Sequence, residues 1–276
     1  MAMNKDEVRR LAGEIQQAYR ARQMIRPLTI TSPGIVLEDA YAIQEAWVDL
    51  KVAEGAKVVG HKIGLTSKAM QSTSLVDEPD YGALLDDTLY QDGVEIPAGI
   101  FRAPRVEIEL AFVMRSELRG PNCTIFDVLN ATEYVTPAIE LLDSRIEKID
   151  SVTKRPRTIV DSICDNAGYA ALITGGRPFR PTDVDLRWVA GLCLRNGQIE
   201  ETGVSAGVLG HPANAIAWLV NKFAAHGATM KAGEILLSGS FIRPVEARIG
   251  DTFCADFGSL GSVSCYFSPH ERKTRK

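Results

Sequence analysis

The segment PRVEIELAFV, residues 104–113, sets two glutamates one residue apart in an otherwise apolar run. Read as a β-strand, it sends alternate side chains to opposite faces. Glu107 and Glu109 then share one face, and Val106, Ile108, Leu110 and Phe112 share the other. Neighbouring carboxylates repel, so their face either lies in water or holds something positive. A solvated face is the ordinary condition of one side of an alternating strand. Two features speak against it here: Ala111 continues the same face, and a third acid, Glu140, lies in YVTPAIELL, where nearly every neighbour is apolar. A glutamate in a buried strand must ionise beside a partner or give up its charge. Three acids converging without a matching cluster of Arg or Lys fit a divalent cation. The four histidines (His61, His211, His226, His270) show no metal-ligand spacing. All-oxygen ligands select a hard ion, Mg²⁺ or Mn²⁺, over zinc, and three carboxylates leave about half of an octahedral shell for water and substrate.

The elements that must position these acids are read from periodicity. Residues 4–23 carry Val8, Leu11, Ile15 and Tyr19 on one helical stripe, and LEDAYAIQEAWVDLKVAEG repeats the pattern with Ala40, Ile43, Trp47 and Leu50 before Gly55. From KVVGHKIGLTS onward the texture changes to short β-like runs broken by Gly, Pro and Asp. CTIFDVLNA reads as a short helix with Thr124 and Asp127 at capping-box spacing. VAGLCLRNGQIEETGV reads as a hairpin turning at Asn196-Gly197. HPANAIAWLVNKFAAHG is a helix with Pro212 near its start and Gly227 past its end. EILLSGSF and DTFCADFGSLGSVSCYF close the chain as strands. ITGGRP is a turn rather than a phosphate cradle, because no Lys-Ser/Thr ending follows it. Strands and helices do not alternate regularly, which argues against a doubly wound or TIM-type sheet. The expected fold class is α+β: a helical N-terminal segment over residues 1–55, a mixed, mainly antiparallel β core over 56–268, and a disordered polar tail over 269–276.

The chain has 276 residues, 45% hydrophobic and 24% charged, with a net charge of −4. That balance gives no basic footprint for nucleic acid. No apolar run approaches the roughly 20 residues of a membrane span, and MAMNKDEVRR has no apolar segment behind its charges, so neither membrane insertion nor secretion is expected. Five scattered cysteines without a CxxC pair suit reduced thiols in a cytoplasm.

GHKIGLTSKAMQ, EPDYGALLDD, PRVEIELAFV, PAIELLDSR, DNAGYAALITGG, ETGVSAGVLGHPANAIAWLVNK and GEILLSGSFIRP occur together and in order. From about residue 30 to about residue 267 the chain resembles the hydratase and decarboxylase branch of the fumarylacetoacetate hydrolase superfamily. The resemblance implies a β-roll core of that type, Mg²⁺ held by Glu107, Glu109 and Glu140, and a homo-oligomer. It also implies hydration of a small 2-oxo or 2-hydroxy dienoic acid, a seven-carbon dioate, in aromatic catabolism. The 1-carboxylate and 2-oxygen of such a substrate form a chelate, and the ion stabilises negative charge on the 2-oxygen.

Lys62, in GHKIGLT, is either a surface lysine or a proton carrier whose pKa burial lowers, and the family likeness favours the second. Asp80, in EPDYG, is an acid/base group or the holder of a turn. SGSFIRP offers Ser240 as a hydrogen-bond donor and Arg243 as a clamp for a far carboxylate, with Arg155 and Arg157 as alternatives from a loop. His61 falls on the face opposite Lys62 and is set aside. Three other activities stay open on these residues: a 4-oxalocrotonate-type decarboxylase (or a hydratase of shorter dienoates), a C–C hydrolase of acylpyruvates, and a non-enzymatic metal-stabilised oligomer.

Overall fold

A computed structural model describes residues 3–271. Helix α1 spans Lys5–Ala21; the Asn4 side chain accepts from the Glu7 N–H, and Asp6 and Glu7 stand at the positive end of the helix dipole. Its stripe of Leu11, Ala12, Ile15 and Ala18 is buried. After the one-turn α2 (Leu28–Thr31), α3 (Leu37–Ala53) buries Ala40, Ile43 and Trp47 in the same cluster. Leu50, expected on that stripe, is 36% exposed instead. Gly55, at φ +105°, turns the chain away.

The remaining elements are, in order, β1 (Val58–Gly64), α4 (Lys68–Ser74), β2 (Asp80–Leu85), β3 (Leu89–Gln91), β4 (Val94–Ala98), β5 (Arg105–Met114), α5 (Ile125–Ala131) and β6 (Thr132–Leu142). Then follow α6 (Ile159–Cys164), β7 (Tyr169–Thr174), β8 (Ala190–Arg195), β9 (Gln198–Val204), α7 (Pro212–Ala224), β10 (Ile235–Leu237), β11 (Val245–Glu246), β12 (Thr252–Asp256) and β13 (Ser262–Glu271). Residues 269–271, expected in a disordered tail, run in β13, and the rest of that tail, 272–276, lies outside the described residues.

The strands form two sheets. One has the order β2-β1-β10-β5-β6-β7-β3, with β11 also pairing with β5; the other has the order β4-β13-β12-β8-β9. Among the described residues β1–β10, β3–β7 and β4–β13 run parallel, and the other pairs are antiparallel. The α+β class with a mainly antiparallel mixed core is therefore what the chain adopts. β8 and β9 meet at Asn196-Gly197, both at positive φ, with Arg195 opposite Gln198, as a type I′ turn requires. The Val106–Phe112 face of β5 packs into the main core with Ile139, Leu141, Phe253 and Leu219. The N-terminal helices close a second cluster over Leu85, Ile146, Ile163 and Cys164. No helix among the described residues is long and apolar enough to cross a membrane.

Candidate metal centre

β5 and β6 pair along nearly their whole length, with Glu107 directly opposite Glu140 and Glu109 opposite Ala138. The pleat thus brings all three glutamates to one face, where one carboxylate oxygen of each lies within 4.8 Å of the others. That face is not wet. Glu109 is 1% and Glu140 0% exposed, and Glu107 is half-buried. Ala111, next along the face, sits among Leu84, Ala138, Tyr169, Leu172 and Leu237. Burial, then the charge of Glu140, pushes the Glu107 carboxyl up to about 8. Burial and both neighbouring acids hold Glu109 well above the carboxylate range. Burial also raises Glu140, against the pull of Lys62.

Both Glu140 oxygens, Glu109 Oε1 and Asp80 Oδ1 are buried without a hydrogen-bond partner among the described residues. The other Glu109 oxygen accepts from the Gly239 N–H at 2.9 Å. Buried polar atoms in folded proteins are satisfied by something. An inward-facing, like-charged, all-oxygen set is satisfied by a hard divalent cation, and these residues fit one.

Lys62 projects from β1 with its Nζ 3.5 Å from Glu140 Oε1, and it is 3% exposed. Burial alone lowers a lysine pKa, which was the expectation. Here burial is overcome by the charges of Glu140, Asp80, Glu107 and Glu109, and the ammonium is held above its ordinary value. Asp80 opens β2 opposite Gly64 of β1 and is 6% exposed. Burial raises its carboxyl, against the nearby Lys62 charge. A Cβ on Gly64 would stand 2.2 Å from Asp80 Oδ1 and 3.0 Å from Lys62 Nζ, so the glycine is what lets the two groups approach. His61 points the other way and packs edge-on to Phe223 at 4.9 Å, with burial pushing its pKa down to about 4.

A cavity of about 600 Å³ opens over Lys62, Asp80 and Glu107, walled by residues 64–67, 69–70 and 240–244. Ser240 lines it, but its Oγ donates within 3.0 Å of Ile242 O and accepts from the Ile242 N–H. Arg243 stands at the mouth with its side chain 79% exposed, ion-paired with Glu201 at 2.6 Å. Arg155 is exposed, whereas Arg157 is half-buried and lines the cavity. Arg105 lines it too, a residue the sequence reading passed over. The signal was present: the alternation linking Glu107 to Glu109 extends back to Arg105.

No protein-family model matches the chain. The chain is 57% identical over 257 residues to 2-oxo-hept-4-ene-1,7-dioate hydratase of Escherichia coli, across 93% of this chain and 96% of that protein. It is 38% identical over 261 residues to 2-keto-4-pentenoate hydratase of Paraburkholderia xenovorans, across 94% of each. It is 36% identical over 267 residues to 4-oxalocrotonate decarboxylase of Pseudomonas putida, across 96% of this chain and 98% of that protein. Among solved structures, 4-oxalocrotonate decarboxylase from Pseudomonas putida G7, complexed with magnesium and adipate, matches with a TM-score of 0.91 at 34% identity over 96% of this chain and 99% of its own. A yeast fumarylacetoacetate hydrolase family protein shares the fold alone, with a TM-score of 0.53 at 16% identity over 78% of this chain and 96% of its own. Likeness at this level along nearly the whole chain means that the chain belongs to the family of these hydratases and decarboxylases, on a fold that it shares with fumarylacetoacetate hydrolase family proteins.

Proposed function

We propose that the chain is a divalent-cation-dependent hydratase. Its substrate is 2-hydroxyhepta-2,4-dienedioate, or the tautomer 2-oxohept-4-ene-1,7-dioate, and its product is 4-hydroxy-2-oxoheptanedioate, in the homoprotocatechuate branch of aromatic catabolism. The observation that carries the reading is the glutamate trio, with three buried oxygens of Glu109 and Glu140 lacking a hydrogen bond, beside a cavity that Glu107 lines together with Lys62 and Asp80. The choice of substrate follows the E. coli relative. Glu107, Glu109 and Glu140 would hold Mg²⁺, or Mn²⁺ in its place. Such an ion, when bound, supplies a Lewis acid for the negative charge that develops on the 2-oxygen.

The chain's own groups must move protons. The 2-hydroxyl loses a proton and carbon 5 gains one, giving a 2-oxo-3-enoate with an electrophilic carbon 4. The oxygen of water bonds to carbon 4, water gives up a proton, and carbon 3 accepts one, for a net gain of one water. Lys62 and Asp80 flank the cavity and are the carriers for these transfers. Asp80 is suited to the acid role because burial favours its protonated form. Ser240 shapes the 240–242 turn of the substrate wall, and Arg243 attracts the anionic substrate at the mouth. The reading also makes the chain a cytoplasmic homo-oligomer. Five free cysteines suit a reducing compartment, and Leu75, Phe126 and Trp188, at 92%, 70% and 66% exposure, offer apolar surface for a second copy.

The test is incubation with 2-hydroxyhepta-2,4-dienedioate and Mg²⁺, with products identified by mass. The expected product has gained one water. Loss of carbon dioxide would move the assignment to a decarboxylase, two fragments would mean hydrolysis, and no reaction with any dienol would leave a binding protein. Glu107→Gln should cut Mg²⁺-dependent turnover by more than the roughly 10–100-fold typical of outer-shell partners, with an unchanged circular dichroism spectrum. Full activity in that variant would overturn the coordination.

A further inference from the structure

Two guanidinium groups line the cavity beside Glu107, and neither forms an ion pair with an acid among the described residues. Arg105 opens β5 two residues before Glu107 and on the same face, about 6.6 Å along the strand. It lies across from Leu142 on β6 and Glu246 on β11. No carboxylate oxygen among the described residues comes within 4.0 Å of its nitrogens, Glu246 included. Arg157 commits one terminal nitrogen to Ser144 Oγ and to Ile146 O, which fixes the planar group; its Nε and second terminal nitrogen have no described partner. Arg157 is half-buried, and burial together with the charges of Arg105 and Arg145 lowers its pKa despite Asp165 and Asp161. Both arginines also line an adjoining cleft of about 270 Å³ that adds Lys148 and Arg248. Two cations left side by side with open donors are costly unless an anion completes them, and a guanidinium fork is shaped for a carboxylate. Arg243, exposed and already paired with Glu201, has no such deficit.

We infer that Arg105 and Arg157 form a carboxylate-binding subsite on the Arg105 side of the acid trio and select a dicarboxylate substrate over a monocarboxylate one. This rests on the hydratase reading and adds which groups hold the far end of the chain. A heptadienedioate with its 1-carboxylate and 2-oxygen at the trio extends its 7-carboxylate along β5, where Arg105 is the next side chain on that face. Arg157, held from the loop before α6, completes the grip. The two arginines touch the substrate away from the reacting carbons, so they act on affinity and alignment rather than on proton transfer.

The experiment compares 2-hydroxyhepta-2,4-dienedioate with 2-hydroxypenta-2,4-dienoate in wild type, Arg105→Gln, Arg157→Gln and Arg243→Ala. Each of the first two variants is expected to lose about 10- to 100-fold in kcat/KM on the dicarboxylate, mainly through KM, and far less on the monocarboxylate. Arg157→Lys should recover part of the loss. Arg243→Ala should affect both substrates alike. Calorimetric titration with the unreactive 2-oxoheptanedioate and 2-oxopentanoate gives the same comparison without turnover. If wild type hydrates neither dienol, the hydratase reading fails while the titration still decides the subsite. Equal losses on both substrates, or undiminished binding of 2-oxoheptanedioate by both arginine variants, would overturn the proposal. Should one variant fail to fold, the other decides.

Discussion

Glu140 faces Glu107 across the β5–β6 pair, lies 3.5 Å from Lys62, and leaves both oxygens without a hydrogen bond. With Glu107, Glu109 and Asp80 it makes four acids that meet one lysine, and burial resolves the excess by pushing protons onto the acids. The linkage has a definite sign. Folded-state pKa values above the unfolded ones mean that the cation-free protein binds more protons folded than unfolded, from the ordinary carboxylate value of 4.5 up to about 8 at Glu107. In that window the contribution of these groups to stability falls as pH rises. A divalent cation held by these carboxylates would replace the protons and remove the penalty. The rise in Tm produced by a fixed Mg²⁺ concentration should therefore be larger at about pH 8.5 than at about pH 5.5, and Glu140→Gln should shrink that difference. Scanning calorimetry checks it; equal gains at both pH values would show that these carboxylates do not take up the ion. At this scale alternation in PRVEIELAFV was enough to pair Glu107 with Glu109. The charge state of Lys62 was not legible, because it depends on acids delivered by β2, β5 and β6.

Elements place these groups through close backbone approach. β1 carries Lys62 between β10, which runs parallel with Gly60 opposite Ile235, and β2, which runs antiparallel. Gly60 has φ +153°, and a Cβ there would sit 1.8 Å from the Ile235 carbonyl oxygen. Gly60→Ala should cost at least about 2 kcal/mol and lower Tm by several degrees. Because Lys62 is two residues further along the strand, turnover should fall as well. Thermal unfolding followed by circular dichroism measures the first effect, and wild-type stability would mean that β1 and β10 can separate without cost. Helices α1, α3, α5 and α7 and the β8–β9 hairpin were readable because caps, stripes and an Asn-Gly turn are local signals. The one-turn-longer α4 escaped: KAMQSTS carries no apolar stripe, and its Ser67 cap shows only once the backbone is placed. EILLSGSF promised a longer strand than β10 provides. The chain leaves the sheet after Leu237, and Gly239, at φ +106°, turns its N–H toward Glu109.

At the scale of the molecule the N-terminal helices are tied to the β core. The Gln44 amide on α3 donates to Tyr81 O and Ile163 O, both at 3.0 Å. Trp47, 2% exposed, stacks under the Arg145 guanidinium at 5.1 Å, and Arg145 is itself paired with Asp165 at the bend before β7. We expect the helices to unfold together with the strands that carry the site. Trp47→Ala should cost about 3–5 kcal/mol and move the main calorimetric transition downward as one peak. An early, separate transition for the N-terminal helices would show that residues 1–55 are an independent unit.

By itself the sequence specified what depends on near neighbours: helical stripes, caps, the hairpin turn, the shared face of Glu107 and Glu109, and an oxygen-only ligand set. Tertiary structure decided what depends on distance between remote segments. It buried Glu140 against Glu107, raised rather than lowered the Lys62 pKa, tied Arg243 to Glu201, and left Arg105 and Arg157 open beside the cavity. Periodicity follows from backbone geometry within a few residues, whereas desolvation and Coulomb interactions are set by whichever strands the fold brings into contact.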